Sequence, residues 1–276
     1  MCYNNIILFI PNFFTKGAVL SMETKEDINK LRDFLKSHNL MELSDIETDQ
    51  EKELPQPPLQ KQCPSLPKLI DLIPPELFTC GSEMSVLDAL RHRKSRRVFS
   101  DDALTLEELS FLLWSMQGVK KILNKGYITL RTAPSAGARH PFETYAAVFN
   151  VKGLEEGIYR YLPLDHKLLF TGSSANLKNE LAEAALGQKF AADCAVAFIL
   201  TAVPYRTEWR YDIGAHKLIA LDAGHAFENL YMAAESINAG TCAIGAYDQE
   251  KMDKLLNVDG EDEFAVYLAP VGRQKK

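Results

Sequence analysis

The chain has 276 residues, 46% of them hydrophobic and 25% charged, and a formal net charge of −6. This composition is typical of a soluble globular protein with a sizeable core, and the acidic balance argues against nucleic acid as a partner. Five scattered cysteines without a CxxC pair, and six histidines without a zinc-ligand spacing, exclude a disulfide framework and a recognisable metal site, so reduced thiols in the cytoplasm are expected.

The first 82 residues are predicted to be an N-terminal extension, and residues 83–276 a single domain. Residues 1–15 are uncharged but lack the basic region of a secretion signal, and no apolar run in the chain is long enough to cross a membrane. Apolar residues at helical spacing predict a helix from Met22 onward. Seven of the thirteen prolines lie between residues 55 and 75, which indicates an extended linker or an arm lying on a surface.

The main charge feature of the chain is the basic run Arg91–Phe99, which reads RHRKSRRVF. Five of the 31 Lys and Arg residues lie within positions 91–97. Arg93, Ser95 and Arg97 alternate, so in an extended segment their side chains point to the same side. Two guanidinium groups and a hydroxyl suit a phosphate monoester, which predicts an anion site. A solvated charge run is the other interpretation of this segment.

Compact structure is predicted from Ser85, which can cap a short helix that leads into the basic run. Thr105 and Glu108 have the spacing of a capping box, and apolar residues at helical spacing follow as far as Gly118. The remaining pattern predicts strands at 144–151, 157–162, 167–171, 194–203 and 263–270 and helices at 176–188, 214–238 and 248–256. Strands and helices do not alternate regularly, so the fold class is predicted to be α+β.

Two further features bear on function. The loop 132–143 is rich in small residues, which let the backbone approach a flat ligand closely. The predicted helix 214–238 carries polar residues about one helical turn apart, namely Asp222, His225, Glu228 and Asn229. These four residues form either a metal site or a buried hydrogen-bond network. A single histidine is a weak ligand set, and buried polar groups usually find protein partners, so the network is favoured.

Four motifs, in this order and spacing, resemble the FMN-dependent nitroreductase superfamily, and within it the SagB/ThcOx-type dehydrogenases. The resemblance covers residues 85–273. The motifs are the RKSRRVF segment at 93–99, the helix at 106–118, the PSAGA loop at 134–138 with Pro141 and Glu143 after it, and the segments 223–234, 244–246 and 271–273 towards the C-terminus.

The resemblance implies a central, mostly antiparallel sheet flanked by helices, in an intertwined homodimer with FMN at the interface. The residues that it assigns to the phosphate and ribityl region of FMN are Arg93, Lys94, Ser95, Arg97 and Arg273. The residues that would come from the other subunit and lie against the isoalloxazine ring are Pro134, Ser135, Ala136 and Ala138. Backbone near the reactive edge of the ring would come from Ile244 and Gly245.

The implied function is that of an FMN-dependent oxidoreductase. Hydride passes in a ping-pong cycle from NAD(P)H to flavin N5, and electrons then pass to a small electron-poor acceptor such as a nitroaromatic or a quinone. The chemistry requires no metal and no side-chain acid or base. Candidates for the substrate side are His140, Arg210 and Tyr211.

Two alternatives stay open at the level of the sequence. One is an azoline-oxidising SagB-type dehydrogenase that works in peptide tailoring, and the other is a flavin-binding protein without turnover. The azoline oxidases carry a Lys-Tyr pair where this chain has Arg210 and Tyr211. Arginine stays charged and is a poor proton shuttle, so the resemblance favours the small-molecule oxidoreductase.

Overall fold

The chain divides into two compact units, the first ending at His38 and the second beginning at Asn39. The computed structural model describes residues 25–41, 45–81, 83–124 and 127–275. The predictions made for residues 1–15 and for Met22 lie outside these described residues. No helix among the described residues is both long and apolar enough to span a bilayer.

The described part of the first unit contains helix α1, which spans Lys25–Phe34. Three of the apolar residues that predicted a helix here, Ile28, Leu31 and Phe34, lie within it or at its end and are exposed. The helical prediction is therefore confirmed over α1, although its apolar face is not covered by other described residues.

The second unit is built on a seven-stranded sheet with the strand order β1-β6-β5-β4-β7-β9-β8. The strands of this sheet are β1 (Leu69–Asp71), β4 (Phe142–Val148), β5 (Gly157–Leu162), β6 (Lys167–Gly172), β7 (Val196–Ala202), β8 (Ala239–Thr241) and β9 (Phe264–Arg273), and a separate hairpin pairs β2 (Val119–Leu123) with β3 (Ile128–Arg131). Every pair of neighbouring strands is antiparallel.

The helices of the described chain, besides α1, are α2 (His38–Met41), α3 (Val86–His92), α4 (Leu106–Gln117), α5 (Leu177–Ala184), α6 (Tyr205–Tyr211), α7 (Ala215–Ser236) and α8 (Gln249–Leu256). Helices α4 and α7 pack on one face of the sheet, and α5 and α8 pack on the other. The prediction of an α+β fold with a mostly antiparallel sheet flanked by helices is confirmed.

The residues of strand β7 are buried on both faces of the sheet. All seven of its residues are buried. Phe198 and Leu200 belong to the core under α4 and α7, whereas Ala197 and Ile199 belong to the core under α5 and α8. Successive side chains of a strand point to opposite faces, so an uninterrupted apolar run is what a doubly covered strand requires.

The helix caps follow the sequence signals. Ser85 Oγ accepts a hydrogen bond from Asp88 N at 3.1 Å at the start of α3. At the start of α4, Glu108 N donates to Thr105 Oγ1 and Thr105 N donates to the Glu108 carboxylate, which completes the predicted capping box. These reciprocal bonds fix the point at which α4 begins.

The proline-rich segment is held on the surface of the second unit. We call residues 54–64 the strap. Arg131 Nη2 donates to Leu59 O at 3.0 Å, and Arg160 Nη2 donates to Lys61 O and Gln62 O at 3.1 and 2.9 Å. The strap is therefore the arm on a surface that the sequence predicted, and it lies on the surface of the second unit, to which it belongs.

Buried carboxylates complete the fastening of the strap. Glu143 Oε1 accepts from Lys61 N at 2.8 Å and from Arg206 Nη2 at 2.5 Å, and Glu143 Oε2 lies 3.5 Å from Arg160 Nη1. Glu263 accepts from the Lys61 ammonium group on the other side. Glu143, the acidic residue that follows the PSAGA loop, thus binds Lys61 of the strap as well as Arg160 of β5 and Arg206 of α6.

The second compact unit begins at Asn39. The start of a flavin-binding domain at residue 83 stays a prediction from the sequence. Residues 69–71 form β1 and pair with β6, which extends the sheet by one strand. Prolines indicate an extended chain, but they do not reveal the distant arginines that hold it.

Candidate functional site

The basic run lies at the end of α3 and faces the C-terminal part of α7. Ser95 forms a parallel bridge with Thr241, and Arg96 N donates to Thr241 O at 2.9 Å, so the run is extended here. Arg96 points inward and pairs with the buried carboxylate of Glu235. Because side chains alternate in an extended segment, Ser95 and Arg97 lie on the other side, where Arg97 is exposed.

Tyr231 on α7 is the residue around which this cluster is assembled. The Arg93 guanidinium lies 5.3 Å from the centroid of the Tyr231 ring, and Ser95 Oγ lies 3.2 Å from Tyr231 Oη. Ala243 N donates to the same phenol oxygen at 2.9 Å. Tyr231 thus links the basic run to the segment that follows β8. Tyr231 was not among the candidates from the sequence, because no local pattern marks it as a contact of the basic run.

Arg273, the second cationic element assigned to this end, is already engaged. Its Nη2 donates to both carboxylate oxygens of Glu108, at 2.5 and 2.7 Å, and its Nη1 donates to Ile237 O at 2.7 Å. The guanidinium remains partly exposed. Glu108 therefore serves both the cap of α4 and the orientation of Arg273.

The segment after β8 leads from this cluster to an apolar groove. Residues 242–247 form neither a helix nor a strand, apart from Ile244, whose N and O both bond with Leu268. Gly245 is exposed, and a Cβ placed there would meet its nearest atom, on Tyr267, at 4.0 Å. The groove has a volume of about 450 Å³ and is lined by Gly245 together with Ala202, Ile219, Ala223, Phe264 and Tyr267.

The loop Ser135–His140 is fixed to α7 by one carboxylate. Ser135 Oγ donates to Asp222 Oδ2 at 2.5 Å, Ala136 N donates to the same carboxylate, and His140 N donates to Ser135 Oγ at 2.9 Å. Burial raises the pKa of Asp222, and the hydrogen bonds from Ser135 and Ala136 oppose that shift. The buried network expected around Asp222 is therefore present.

The rest of the polar set on α7 is divided between the interior and the solvent. Asn229 Nδ2 donates to Ser115 O at 2.9 Å, which ties α7 to α4. His225 and Glu228 are exposed. The four residues thus do not converge on one point, and the hydrogen-bond interpretation holds for Asp222 and Asn229.

The same loop is bent by residues with positive φ. Gly137, Ala138 and His140 have φ of 55°, 54° and 47°. A Cβ on Gly137 would approach Tyr211 Oη to 2.7 Å and Arg210 Nε to 3.0 Å. The absence of a side chain at this position therefore lets Arg210 and Tyr211 lie directly on the loop.

Two other residues of the loop point inward. His140 is buried, its Nε2 lies 3.0 Å from Thr129 O, and burial together with the Arg131 charge lowers its pKa to about 3. Arg139 is buried as well, and its guanidinium lies over the rings of Tyr127 and Trp209. Of the three substrate-side candidates, the structure leaves Arg210 exposed and Tyr211 partly exposed, and it places His140 in the interior.

The comparisons with known proteins agree on one family. A sequence model of the nitroreductase family matches residues 90–273. The protein MJ1384 of Methanocaldococcus jannaschii, named as a nitroreductase, is 34% identical over 192 residues, which cover 70% of this chain and 92% of that protein. A crystal structure from Ralstonia eutropha JMP134, also named as a nitroreductase, has a TM-score of 0.63 and 26% identity over 81% of this chain and 100% of that one.

A third relative has a different description. The trifolitoxin-processing protein TfxB of Rhizobium leguminosarum bv. trifolii is 27% identical over 224 residues, which cover 78% of this chain. This chain spans 59% of the length of TfxB.

Proposed function

The chain belongs to the nitroreductase family, and from that premise we propose that it is an FMN-dependent oxidoreductase that transfers hydride equivalents from NAD(P)H to a small electron-poor acceptor. The observation that carries the proposal is the short connection between a cationic cluster and an apolar groove. Arg93 and Ser95 lie against Tyr231, which also binds Ala243 N, and two residues further along the chain the exposed backbone of Gly245 lines the groove.

The residues present fit FMN. The cofactor has an anionic tail and a flat, largely apolar head, and each finds a matching surface. Arg93, Ser95 and Arg97 offer donors for the phosphate, and the buried hydroxyl of Thr241, beside Ser95, has no hydrogen-bond partner among the described residues. Gly245 has open space where a side chain would stand. In this assignment Arg273 would share its guanidinium between Glu108 and the phosphate.

The role of the protein in such a reaction is to bind and orient. When bound, FMN supplies the two-electron chemistry between the nicotinamide and the acceptor. Guanidinium groups hold the anionic tail through charge-assisted hydrogen bonds, each contributing roughly 1.5–3 kcal/mol. The backbone around Gly245 leaves one side of the groove open for the nicotinamide and then for the acceptor. No side chain of the groove is needed as an acid or a base.

We further propose that two copies of the chain complete each site. The loop Ser135–His140 is fastened to Asp222, in the first half of α7, while Tyr231 lies nine residues further along the same helix. Nine residues of α-helix rise about 13 Å. We assign the loop to the ring held by the partner copy because the family resemblance implies that arrangement. The four described cysteines are free thiols, which is consistent with a cytoplasmic protein.

The test is stopped-flow reduction of the purified, FMN-loaded protein without oxygen. We expect NADH or NADPH to bleach the flavin band, and 4-nitrobenzamide or a benzoquinone to restore it. A flavin that neither nicotinamide reduces would reject the proposal and leave a flavin-binding protein without turnover.

The similarity to TfxB favours a second candidate, dehydrogenation of an azoline in a processed peptide. Arg210 stands where the resemblance expects a lysine, which weakens this candidate because arginine does not release a proton near neutral pH. Incubation with a thiazoline-containing peptide and mass spectrometry separates the two: a loss of 2 Da from the peptide would favour peptide tailoring.

A further inference from the structure

A guanidinium group without a carboxylate partner lies beside the loop Ser135–His140. Arg210, near the end of α6, is exposed, and its guanidinium lies 5.6 Å from the centroid of the Tyr211 ring. Among the described residues Arg210 forms no ion pair. Of the two nearest acids in sequence, Glu208 binds His216 Nε2 at 2.9 Å and Asp212 accepts from Ile213 N, and neither forms an ion pair with Arg210.

The position of Arg210 is set by the loop. Gly137 is the contact point, because a Cβ there would lie 3.0 Å from both Cδ and Nε of Arg210. Because Gly137 has a positive φ, a residue with a side chain would be strained at this position, whereas glycine is not. Arg210 therefore lies against the loop that we assign to the isoalloxazine ring, with its side chain exposed to solvent.

The helix that carries Arg210 is anchored. Trp209 is buried, its Nε1 donates to Leu54 O at 3.0 Å, and its carbonyl oxygen accepts from Gln50 N at 2.8 Å. Tyr205, at the start of α6, donates its hydroxyl to Asp49 at 3.0 Å. Residues 49–54 thus hold α6 at both ends, so Arg210 extends from a fixed base.

A second positive charge lies behind the first. Arg139 is buried between Tyr127 and Trp209 and donates from Nε to Gly137 O at 3.2 Å. Burial is the main cause that lowers the pKa of Arg139, and the nearby charge of Arg210 lowers it further. Two guanidinium groups thus lie at Gly137 in a chain whose net charge is −6.

We infer that the substrate side of the site selects planar acceptors that carry a negative charge, such as aromatic carboxylates, and that Arg210 is the residue that recognises the charge. This inference rests on the proposed function for the placement of the acceptor. The exposed guanidinium offers two parallel N–H donors to a carboxylate, and the Tyr211 ring beneath it offers a flat surface.

Calorimetric titration of the flavin-loaded protein with benzoate and with benzamide tests the inference directly. The two probes have nearly the same shape and differ in charge. We expect benzoate to bind at least about fivefold more tightly than benzamide, as a charge-assisted pair at a partly exposed site allows. Arg210→Ala should remove that preference, and Arg210→Lys should keep part of it. Lys254→Ala, which removes an exposed charge on α8, should leave it intact.

A second measurement uses turnover. The ratio of kcat/KM for 4-nitrobenzoate to that for 4-nitrobenzamide should fall about fivefold in Arg210→Ala, through KM, if the same charge pair positions the acceptor. Equal binding of benzoate and benzamide, no binding of benzoate, or a preference that survives Arg210→Ala would overturn the inference. A flavin that no nicotinamide reduces would reject the proposed function alone, because the benzoate titration does not depend on turnover.

Discussion

Arg93 and Arg273 share an assigned role but differ in what holds them. Arg273 is fixed by two bonds to Glu108, whereas Arg93 lies over the Tyr231 ring and forms no ion pair among the described residues. Arg93→Ala should therefore weaken FMN binding with little change in stability. Loss of one charge-assisted contact of roughly 1.5–3 kcal/mol predicts an increase in Kd of about 10- to 100-fold.

Fluorescence titration of FMN into the stripped protein measures this change. Arg91→Ala is the matched control, because Arg91 is exposed, lies in the same run and pairs with Asp88 at 3.6 Å. An equal loss of affinity in both variants would mean that the run acts only through its total charge.

His140 gives a prediction about pH. Burial holds its pKa in the folded protein at about 3, below the ordinary value of 6.5. The unfolded chain therefore takes up the proton first as the pH falls. The neutral ring contributes its full stability above about pH 6.5, and this contribution is lost towards pH 3 at up to about 1.4 kcal/mol per pH unit.

The comparison is between the wild type and His140→Asn, since asparagine tolerates the positive φ of 47° at this position. Urea unfolding from pH 7 to pH 4 should show a shallower loss of stability in His140→Asn. His225→Gln, which alters an exposed histidine, should follow the wild type. Parallel curves for all three proteins would contradict the burial of a neutral His140.

Among the elements, α4 links the fold to the site. Thr105 contributes only to the capping box, while Glu108 also holds Arg273. Thr105→Ala should lower the free energy of unfolding by about 1 kcal/mol, the usual contribution of an N-cap. Glu108→Ala should cost clearly more, roughly 2–4 kcal/mol, because it also leaves Arg273 without its partly buried partner.

Chemical denaturation of both variants gives this comparison. Flavin affinity provides a second reading, since only Glu108→Ala releases Arg273 from its fixed position. Equal costs for the two substitutions would show that the pair between Glu108 and Arg273 contributes nothing to the fold.

The strap depends on the buried charge of Glu143, and a substitution there tests this dependence. Glu143 lies between Arg206 and Arg160, which are themselves buried. Glu143→Gln keeps the shape and removes the negative charge that pairs with Arg206. We expect a loss of about 3–5 kcal/mol and faster proteolysis within residues 54–64.

Glu155→Gln is the control for that experiment, because Glu155 and its partner Lys68 are both exposed, and water screens such a surface pair. If Glu143→Gln were as mild as the control, the strap would not depend on buried charge for its position.

Sequence patterns predicted the elements well where the cause is local. The capping box at Thr105 depends on residues three positions apart, and the buried strand β7 depends on an uninterrupted apolar run. The position of the strap was not predictable, because Arg131 and Arg160 reach it from about 70 and 100 residues away. Within the site, alternation in the basic run placed Arg96 on the side opposite Ser95 and Arg97. Its partner Glu235 lies far along the chain, so this ion pair was not predictable from the sequence.

At the scale of the whole molecule, the distribution of charge and apolar surface is what a bound flavin needs. In an acidic chain, the basic run lies against Tyr231, and the segment 242–247 leads from there to Gly245 in an apolar groove. The family shows the fold, and our proposal places the phosphate of FMN near Arg93 and Ser95 and its ring near Gly245.

The most direct measurement is the visible spectrum of the purified protein, followed by the mass of whatever is released on heating. We predict absorption bands near those of an oxidised flavin, and release of FMN at about one molecule per chain. A colourless protein that takes up no FMN on reconstitution, or one that releases a different cofactor, would contradict the assignment of FMN to this site.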